Sequence, residues 1–261
     1  MAIRKSLYRA SGPQEAFIVP LLDSEITSGL ILIHNQLQSR NIQCNSVLDC
    51  GCGNQPFRKQ LENLGFVYES LDIEQNSTNN VDYLCGLDAP TSVFDAVIKK
   101  KYSLVLLTEV LEHVSGLSQA FRNAYFCTLP GGLILLTTPF VYPLHEEPHD
   151  YSRLTIHLIQ KLATDVGFEI ISLKKAGTAA HVMGTILGAG TLRLDSPSSI
   201  CDKVINRFLL TSQRILFRCL LHSHDRIVST SSNLYLANIA ILRKPISGDH
   251  DDTDDPEPWR S

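Results

Sequence analysis

The sequence predicts an α/β fold: a doubly wound, mostly parallel seven-stranded sheet with a helical insertion before its last strand. Three observations carry this. Short apolar runs alternate with helix-patterned stretches from Ser46 to Leu173, the signature of β-α-β units whose sheet is covered on both faces. Turn signals such as Leu129-Pro130-Gly131-Gly132 punctuate the ends of these stretches. The 261 residues are 44% apolar and 19% charged, a globular composition with enough material for a sizeable core.

Residues 1–22 read as an N-terminal segment whose first 13 or so residues are loose. From Asp23 to Gln38, Ile26, Leu30, Ile33 and Leu37 recur at helical spacing. The core spans 23–177. Its strand-like runs are SVLDC, YESLDI, VDYLC, SLVLLT, GLILLTT and FEIISL, with helix-like PFRKQLENLG, LSQAFRNAYFCTL and TIHLIQKLATDVG between several of them. The last strand lies in NLYLANIAILRKP, with its core portion at 233–245. The stretch before it is too long for a bare loop in a compact domain, so 178–232 is read as inserted helices.

Within the insertion, Ser199 to Arg218 is amphipathic. Lys203, Arg207, Arg214 and Arg218 fall within about 60° of arc at ~100° per residue. Just upstream, Ala180, Gly184 and Gly188 recur every four residues and allow close helix contact. A cap over the cleft or a homodimer interface is the preferred reading. Weak contact of the 199–218 helix with an anionic membrane surface is the alternative.

The formal charge of −4 is unevenly placed. Residues 246–261 carry six acidic residues and one Arg, and read as a disordered tail; the rest holds 22 basic against 21 acidic residues. Such a body gives no electrostatic argument for nucleic acid. The seven cysteines show no repeated spacing, and Cys50-Gly51-Cys52 is one residue too tight for a C-x-x-C site. With no apolar stretch after the basic start, no secretory signal is expected, and reduced thiols in a cytoplasmic protein are the simplest reading. The nearest approach to a membrane span, Ala176 to Leu192, has no Asp, Glu, Lys or Arg but is too short and glycine-rich to span unaided.

The chemistry concentrates at Ser46-Val-Leu-Asp-Cys-Gly-Cys-Gly-Asn-Gln-Pro-Phe57, a buried strand running into a glycine turn and then a helix. In a doubly wound sheet, ligands bind at the carboxyl ends of the strands. A nicotinamide dinucleotide fits poorly. Pro56 stands where its fingerprint needs a third glycine, and Asp49 would repel a diphosphate. An acidic strand tip suits a cationic or amine-bearing ligand. Asp72, 19 residues after Gly53 at the end of the second strand, is placed to accept hydrogen bonds from vicinal ribose hydroxyls.

In VLDCGCGNQPF, LDIE, LVLLTEVLEHV and LPGGLILLTTPF, taken in that order, the chain resembles the class I S-adenosylmethionine-dependent methyltransferases. The resemblance implies a Rossmann-like fold with S-adenosylmethionine as cofactor. Gly51 and Gly53 are then expected along its methionine part, Asp49 on its ammonium and Asp72 on the ribose. Ile73 and Leu87 are expected around the adenine, Asp88 near its amino group, and Thr108 and Glu109 beneath the sulfonium.

After the fifth strand, His145-Glu146-Glu147-Pro148-His149 formally satisfies the H-E-x-x-H zinc-protease pattern. That pattern requires a helix, which Pro148 opposes, so neither a protease nor a bound metal is expected. For a hydroxyl acceptor a base is needed, and His145 or His149 is the candidate, with Tyr151 or Arg153 orienting the acceptor. The loop PFVYPLHEEPHDYSRLT is similar to a bacterial methyltransferase subgroup found partly among glycan-biosynthesis genes, which suggests a small-molecule acceptor such as a sugar or glycan precursor. The competing reading is a non-catalytic S-adenosylmethionine-binding or scaffold protein of the same fold.

Overall fold

The computed structural model describes residues 9–40, 45–196, 198–227 and 233–246. The expected loose residues 1–8 and nearly all of the acidic tail lie outside them. The strands are β1 Ser46–Cys50, β2 Val67–Asp72, β3 Tyr83–Leu84, β4 Tyr102–Thr108, β5 Thr128–Pro139, β6 Glu169–Ala176 and β7 Ala237–Arg243. They form one sheet in the order β3-β2-β1-β4-β5-β7-β6. The pairs β2–β3, β1–β2, β1–β4 and β4–β5 are parallel, while β7 runs antiparallel to β5 and β6.

The sequence pattern did not reveal the reversal of β7, but the chain path explains it. The insertion leaves the sheet after Ala176 and returns to the same end of it, where Leu236 N–H donates to the Ala176 carbonyl at 2.9 Å. Ala237 therefore pairs with Ala176, and the strand can only run back across the sheet.

Side chains alternate across the sheet with period two. Val47, Leu104, Leu106, Leu133, Leu135, Ile239 and Ile241 enter one core, and Leu48, Val105, Leu107, Ile134, Leu136, Ala240 and Leu242 the other. Helices α1 (Ile18–Ser39) and α2 (Arg58–Asn63) cover the first face; α3 (Thr91–Val97), α4 (Leu117–Cys127) and α5 (Ile156–Asp165) cover the second. Helix α1 starts five residues before the position read from the pattern. Pro20 lies in its first turn, where a missing N–H costs little, and Ile18, Val19 and Leu22 extend the buried face.

Between β6 and β7 stand α6 (Ala179–Ala189) and α7 (Ile200–Ser223). Helix α7 opens with a capping box: Ser199 Oγ accepts from Asp202 N–H, and the Asp202 carboxylate accepts from Ser199 N–H, both at 3.0 Å. The small residues of α6 receive the N-terminal segment. A Cβ on Gly184 would meet the Phe17 ring at 2.3 Å, and one on Gly188 would meet the Pro13 carbonyl oxygen at 2.5 Å. Phe17 is edge-on to Phe217 and to His224, each at 5.6 Å. Residues 9–17, expected loose through about 13, are thus seated on the inserted helices. Gly184→Val is expected to expel Phe17, costing about 1–3 kcal/mol. Thermal denaturation and protease sensitivity near the N-terminus check this.

Helix α7 leaves Lys203, Val204, Arg207 and Phe208 toward solvent, while Gln213 and Leu220 are buried. Among the described residues, no helix is long and apolar enough to cross a membrane. The six described cysteines are free thiols.

Candidate functional site

Strand order reverses between β1 and β4, which both continue toward loops at the same end of the sheet. After Asp49 and Cys50 the chain turns through Gly51 (φ 69°) and Gly53 (φ 47°). Gly51 is required twice over: its φ is left-handed, and a Cβ would lie 2.3 Å from Val110 Cγ2. Its N–H donates to the Leu71 carbonyl at 2.8 Å, tying the turn to β2.

Asp49 is only 1% exposed. The Tyr68 hydroxyl donates to Oδ2 at 2.6 Å, while Oδ1 has no partner among the described residues. Burial outweighs the Tyr68 hydrogen bond and, helped by the charge of Asp72, pushes the carboxyl up to about 7. At the end of β2, Asp72 Oδ2 accepts from Gly53 N–H at 2.9 Å and Oδ1 from Ile73 N–H at 2.7 Å. The two strand tips are therefore joined through the carboxylate itself. Ile73 faces outward and is 73% exposed.

Asp88 Oδ2 accepts from Gly116 N–H at 2.9 Å and from Ser115 Oγ at 3.2 Å. Its loop is braced by the buried amide of Asn123, which donates to the Leu87 and Ala89 carbonyls, each at 2.8 Å. Nothing in the sequence pattern singles out Asn123. Asn123→Ala leaves two carbonyls short of a donor and should cost about 1–3 kcal/mol, checked by chemical denaturation.

After β4, Glu109 takes a left-handed φ of 51° and its N–H donates to the Thr137 carbonyl at 3.1 Å. A non-glycine residue held there is strained, as is common at functional sites. Its Oε1 is buried without a partner, and burial, opposed by Thr137 and Arg153, raises its carboxyl to about 7.

These residues surround two adjoining cavities. One, of about 250 Å³, is lined by Asp72, Ile73, Leu87 and Asp88 among others. The other, of about 530 Å³, is lined by Asp49, Thr108, His113, Tyr142 and His145 among others. Gly51, Gly53, Glu109, His113 and Glu146 line both. All nine expected cofactor contacts are thus brought to one place. The N-terminal segment adds Arg9, Ser11, Glu15, Ile18 and Val19 to the larger cavity, a wall that sequence reasoning missed because these residues have no period of their own.

The loop after β5 separates its two histidines. The stretch 145–149 forms a turn closed by His149 N–H donating to the Glu146 carbonyl at 3.1 Å, not a helix. His145 lines the larger cavity; His149 and Tyr151 line neither, and His149 Nδ1 lies 2.8 Å from the Tyr151 hydroxyl. Arg153 clamps Asp150 through both terminal nitrogens, at 2.5 and 2.7 Å, and donates to the Pro143 carbonyl at 3.0 Å. The clamp holds the Asp150 carboxyl down at about 2, so it stays ionised and accepts from His145 N–H at 3.0 Å. Arg153 therefore orders the loop. The His113 ring lies 4.8 Å from that of His145, edge to face.

A family model described as a methyltransferase domain matches residues 25–173. Among solved structures, the chain is similar to a putative sarcosine dimethylglycine methyltransferase from Galdieria sulphuraria, at 14% identity over 92% of each chain and a TM-score of 0.50. It is also similar to the [4+2]-cyclase SpnF, at 11% identity over 90% of this chain and 96% of that one, with a TM-score of 0.50. A SAM-dependent methyltransferase from Archaeoglobus fulgidus matches at 16% identity over 82% of this chain and 94% of that one, with a TM-score of 0.48. No curated protein matches the sequence. The matched family region contains the strand tips described above, and the chain belongs to the class I S-adenosylmethionine-dependent methyltransferase family.

Proposed function

We propose that this chain transfers a methyl group from S-adenosylmethionine to a hydroxyl or amine of a small polar acceptor, a sugar or glycan precursor being the preferred class. The observation that carries the reading is the buried Asp49 Oδ1, without a partner among the described residues, on a cavity that adjoins the one lined by Asp72, Leu87 and Asp88. A buried carboxylate oxygen without a donor is costly until a cationic donor reaches it, and the ammonium of an amino acid is such a group. Asp72 keeps acceptor capacity for two hydroxyls beyond its two backbone bonds. Asp88 keeps Oδ1 for an exocyclic amine while Oδ2 is held by Gly116 and Ser115. Leu87 and Ile73 offer apolar surface to a flat base, Thr108 lines the larger cavity, and Glu109 lines both.

When bound, the sulfonium supplies an electrophilic methyl group. The chain contributes alignment for in-line attack, exclusion of water, and management of the acceptor's proton. His145 is the loop histidine placed for that last task. It acts either by taking the proton or by holding an electrophile that acidifies the acceptor.

Calorimetric titration with S-adenosylmethionine, followed by turnover on hydroxyl- and amine-bearing acceptors, tests the reading. Asp72→Ala should weaken donor binding by at least about tenfold. Unchanged affinity in that variant contradicts the site. Tight binding without turnover on any acceptor supports the scaffold reading; the similarity to a cyclase is a reminder that fold alone does not fix the reaction.

A further inference from the structure

We propose that Glu112, His113 and His145 form a binding site for a divalent first-row transition-metal ion on the acceptor side of the larger cavity. Glu112 and His113 lie in the single turn Leu111–His113 after β4, and His145 comes from the loop after β5. The cluster therefore joins two separately anchored segments. Tyr151 N–H, donating to the Glu112 carbonyl at 2.8 Å, ties those segments together.

The ring partners assign the protons. His113 Nδ1 faces the His149 carbonyl at 2.9 Å, and His145 Nδ1 faces the Pro143 carbonyl at 3.3 Å and Asp150 Oδ2 at 3.2 Å. All are acceptors, so each neutral ring carries its hydrogen on Nδ1 and presents a lone pair at Nε2. Those two lone pairs converge on one carboxylate oxygen: Glu112 Oε1 lies 3.8 Å from His113 Nε2 and 4.0 Å from His145 Nε2. Glu112 is 0% exposed, and its Oε1 has no hydrogen-bond partner among the described residues. Three candidate ligand atoms thus face one another across a space that a shared cation would bridge.

The spacing is close to that of a bound site. The three ligand atoms lie within 4.8 Å of one another, whereas ligands held at ~2.1 Å around a tetrahedral or octahedral ion are about 3–4 Å apart. Modest side-chain movement closes the difference. The supporting shell is already in place, because the Arg153 clamp holds Asp150 behind His145, the carboxylate–histidine–metal arrangement that fixes a ligating ring. Glu109 adds a second buried carboxylate with a partnerless oxygen, and its charge acts on Glu112. Two imidazoles and a carboxylate suit zinc, iron or manganese better than calcium, and three protein ligands leave positions open. The H-E-x-x-H spacing is rejected as a metal pattern, with no metal expected from it, and this cluster does not follow it: the imidazole beside His145 is His113, not His149.

The role of such an ion rests on the methyltransferase reading above. An acceptor hydroxyl coordinated to such an ion would lose its proton to solvent water more readily, and His145 would then serve as a ligand in place of a base.

The test uses the full-length chain, freed of metal with a chelator and titrated with Mn²⁺ in the absence of donor and acceptor. Free Mn²⁺ is followed by electron paramagnetic resonance, and Zn²⁺ is titrated in parallel by calorimetry. The expected result is one ion bound at this site, with affinity reduced at least tenfold in His113→Ala and in His145→Ala. Asp150→Asn should weaken it by about 10–100-fold. A second cluster, His181, His224 and Asp225, is controlled by His224→Ala, which should retain the site. Absence of binding overturns the proposal, as does affinity unchanged in both cavity-histidine variants or lost only in His224→Ala. Because no methyl transfer is measured, either failure leaves the functional reading standing.

Discussion

His145→Ala is expected to lower methyl-transfer turnover by about 10²–10⁴-fold while leaving the dissociation constant of the donor within about twofold. His145 is the histidine of the HEEPH loop that reaches the larger cavity, and its ring is oriented by a carboxylate that Arg153 keeps ionised. The donor-side carboxylates Asp49, Asp72 and Asp88 belong to other loops, so their geometry survives the substitution. His149→Ala should retain turnover within about threefold, because that ring is turned toward Tyr151 and lines neither cavity. Steady-state formation of S-adenosylhomocysteine, with donor affinity measured separately, checks both. Normal turnover in His145→Ala removes the acceptor-side assignment.

Asp49→Asn should weaken donor binding by about 10–150-fold, the loss of a charge-assisted hydrogen bond worth about 1.5–3 kcal/mol. The effect carries a pH signature. In the donor-free protein the Asp49 carboxyl ionises at about 7 rather than 3.8. Only the ionised form pairs with an ammonium, so affinity should be flat above about pH 7 and fall by roughly tenfold per pH unit below it. In Asp49→Asn this dependence should vanish. The same shift acts on stability. The folded state holds this proton more tightly than the unfolded chain, so the group increasingly destabilises the donor-free fold as pH rises from 3.8 to about 7. Donor binding relieves that cost, so its thermal stabilisation should be larger at pH 8 than at pH 6. Calorimetry and thermal denaturation across this range measure both effects.

What the sequence revealed follows from how each element is buried. Strands β1, β4 and β5 lie inside the sheet with both faces covered, so they appear as continuous apolar runs. The edge strand β3 is shorter than the VDYLC run, pairing with β2 only at Tyr83–Leu84. Helix α3 buries Phe94 alone among its seven residues and offers no period to detect. The direction of β7 depends on where the inserted helices return, which no local pattern records.

The site divides in the same way. Asp49, Gly51, Gly53 and Asp72 were legible because each sits at a strand tip fixed by its own strand. Tyr68, which bonds Asp49, and the meeting of Glu112 and His113 with His145 arise through space, from residues 19 and 32–33 positions apart. Arg9, Ser11, Glu15, Ile18 and Val19 line the larger cavity from a segment whose Phe17 and Pro13 fit where Gly184 and Gly188 leave room.

The claim on which the account rests is that the carboxylate-edged tips of β1 and β2 hold the methyl donor. A crystal structure of the protein with S-adenosylhomocysteine measures this directly. The account predicts the amino group within hydrogen-bonding distance of Asp49 Oδ1, the ribose hydroxyls on Asp72, and the adenine beside Leu87 and Asp88. The nucleoside seated elsewhere, or Asp49 Oδ1 left without a partner beside it, would contradict it.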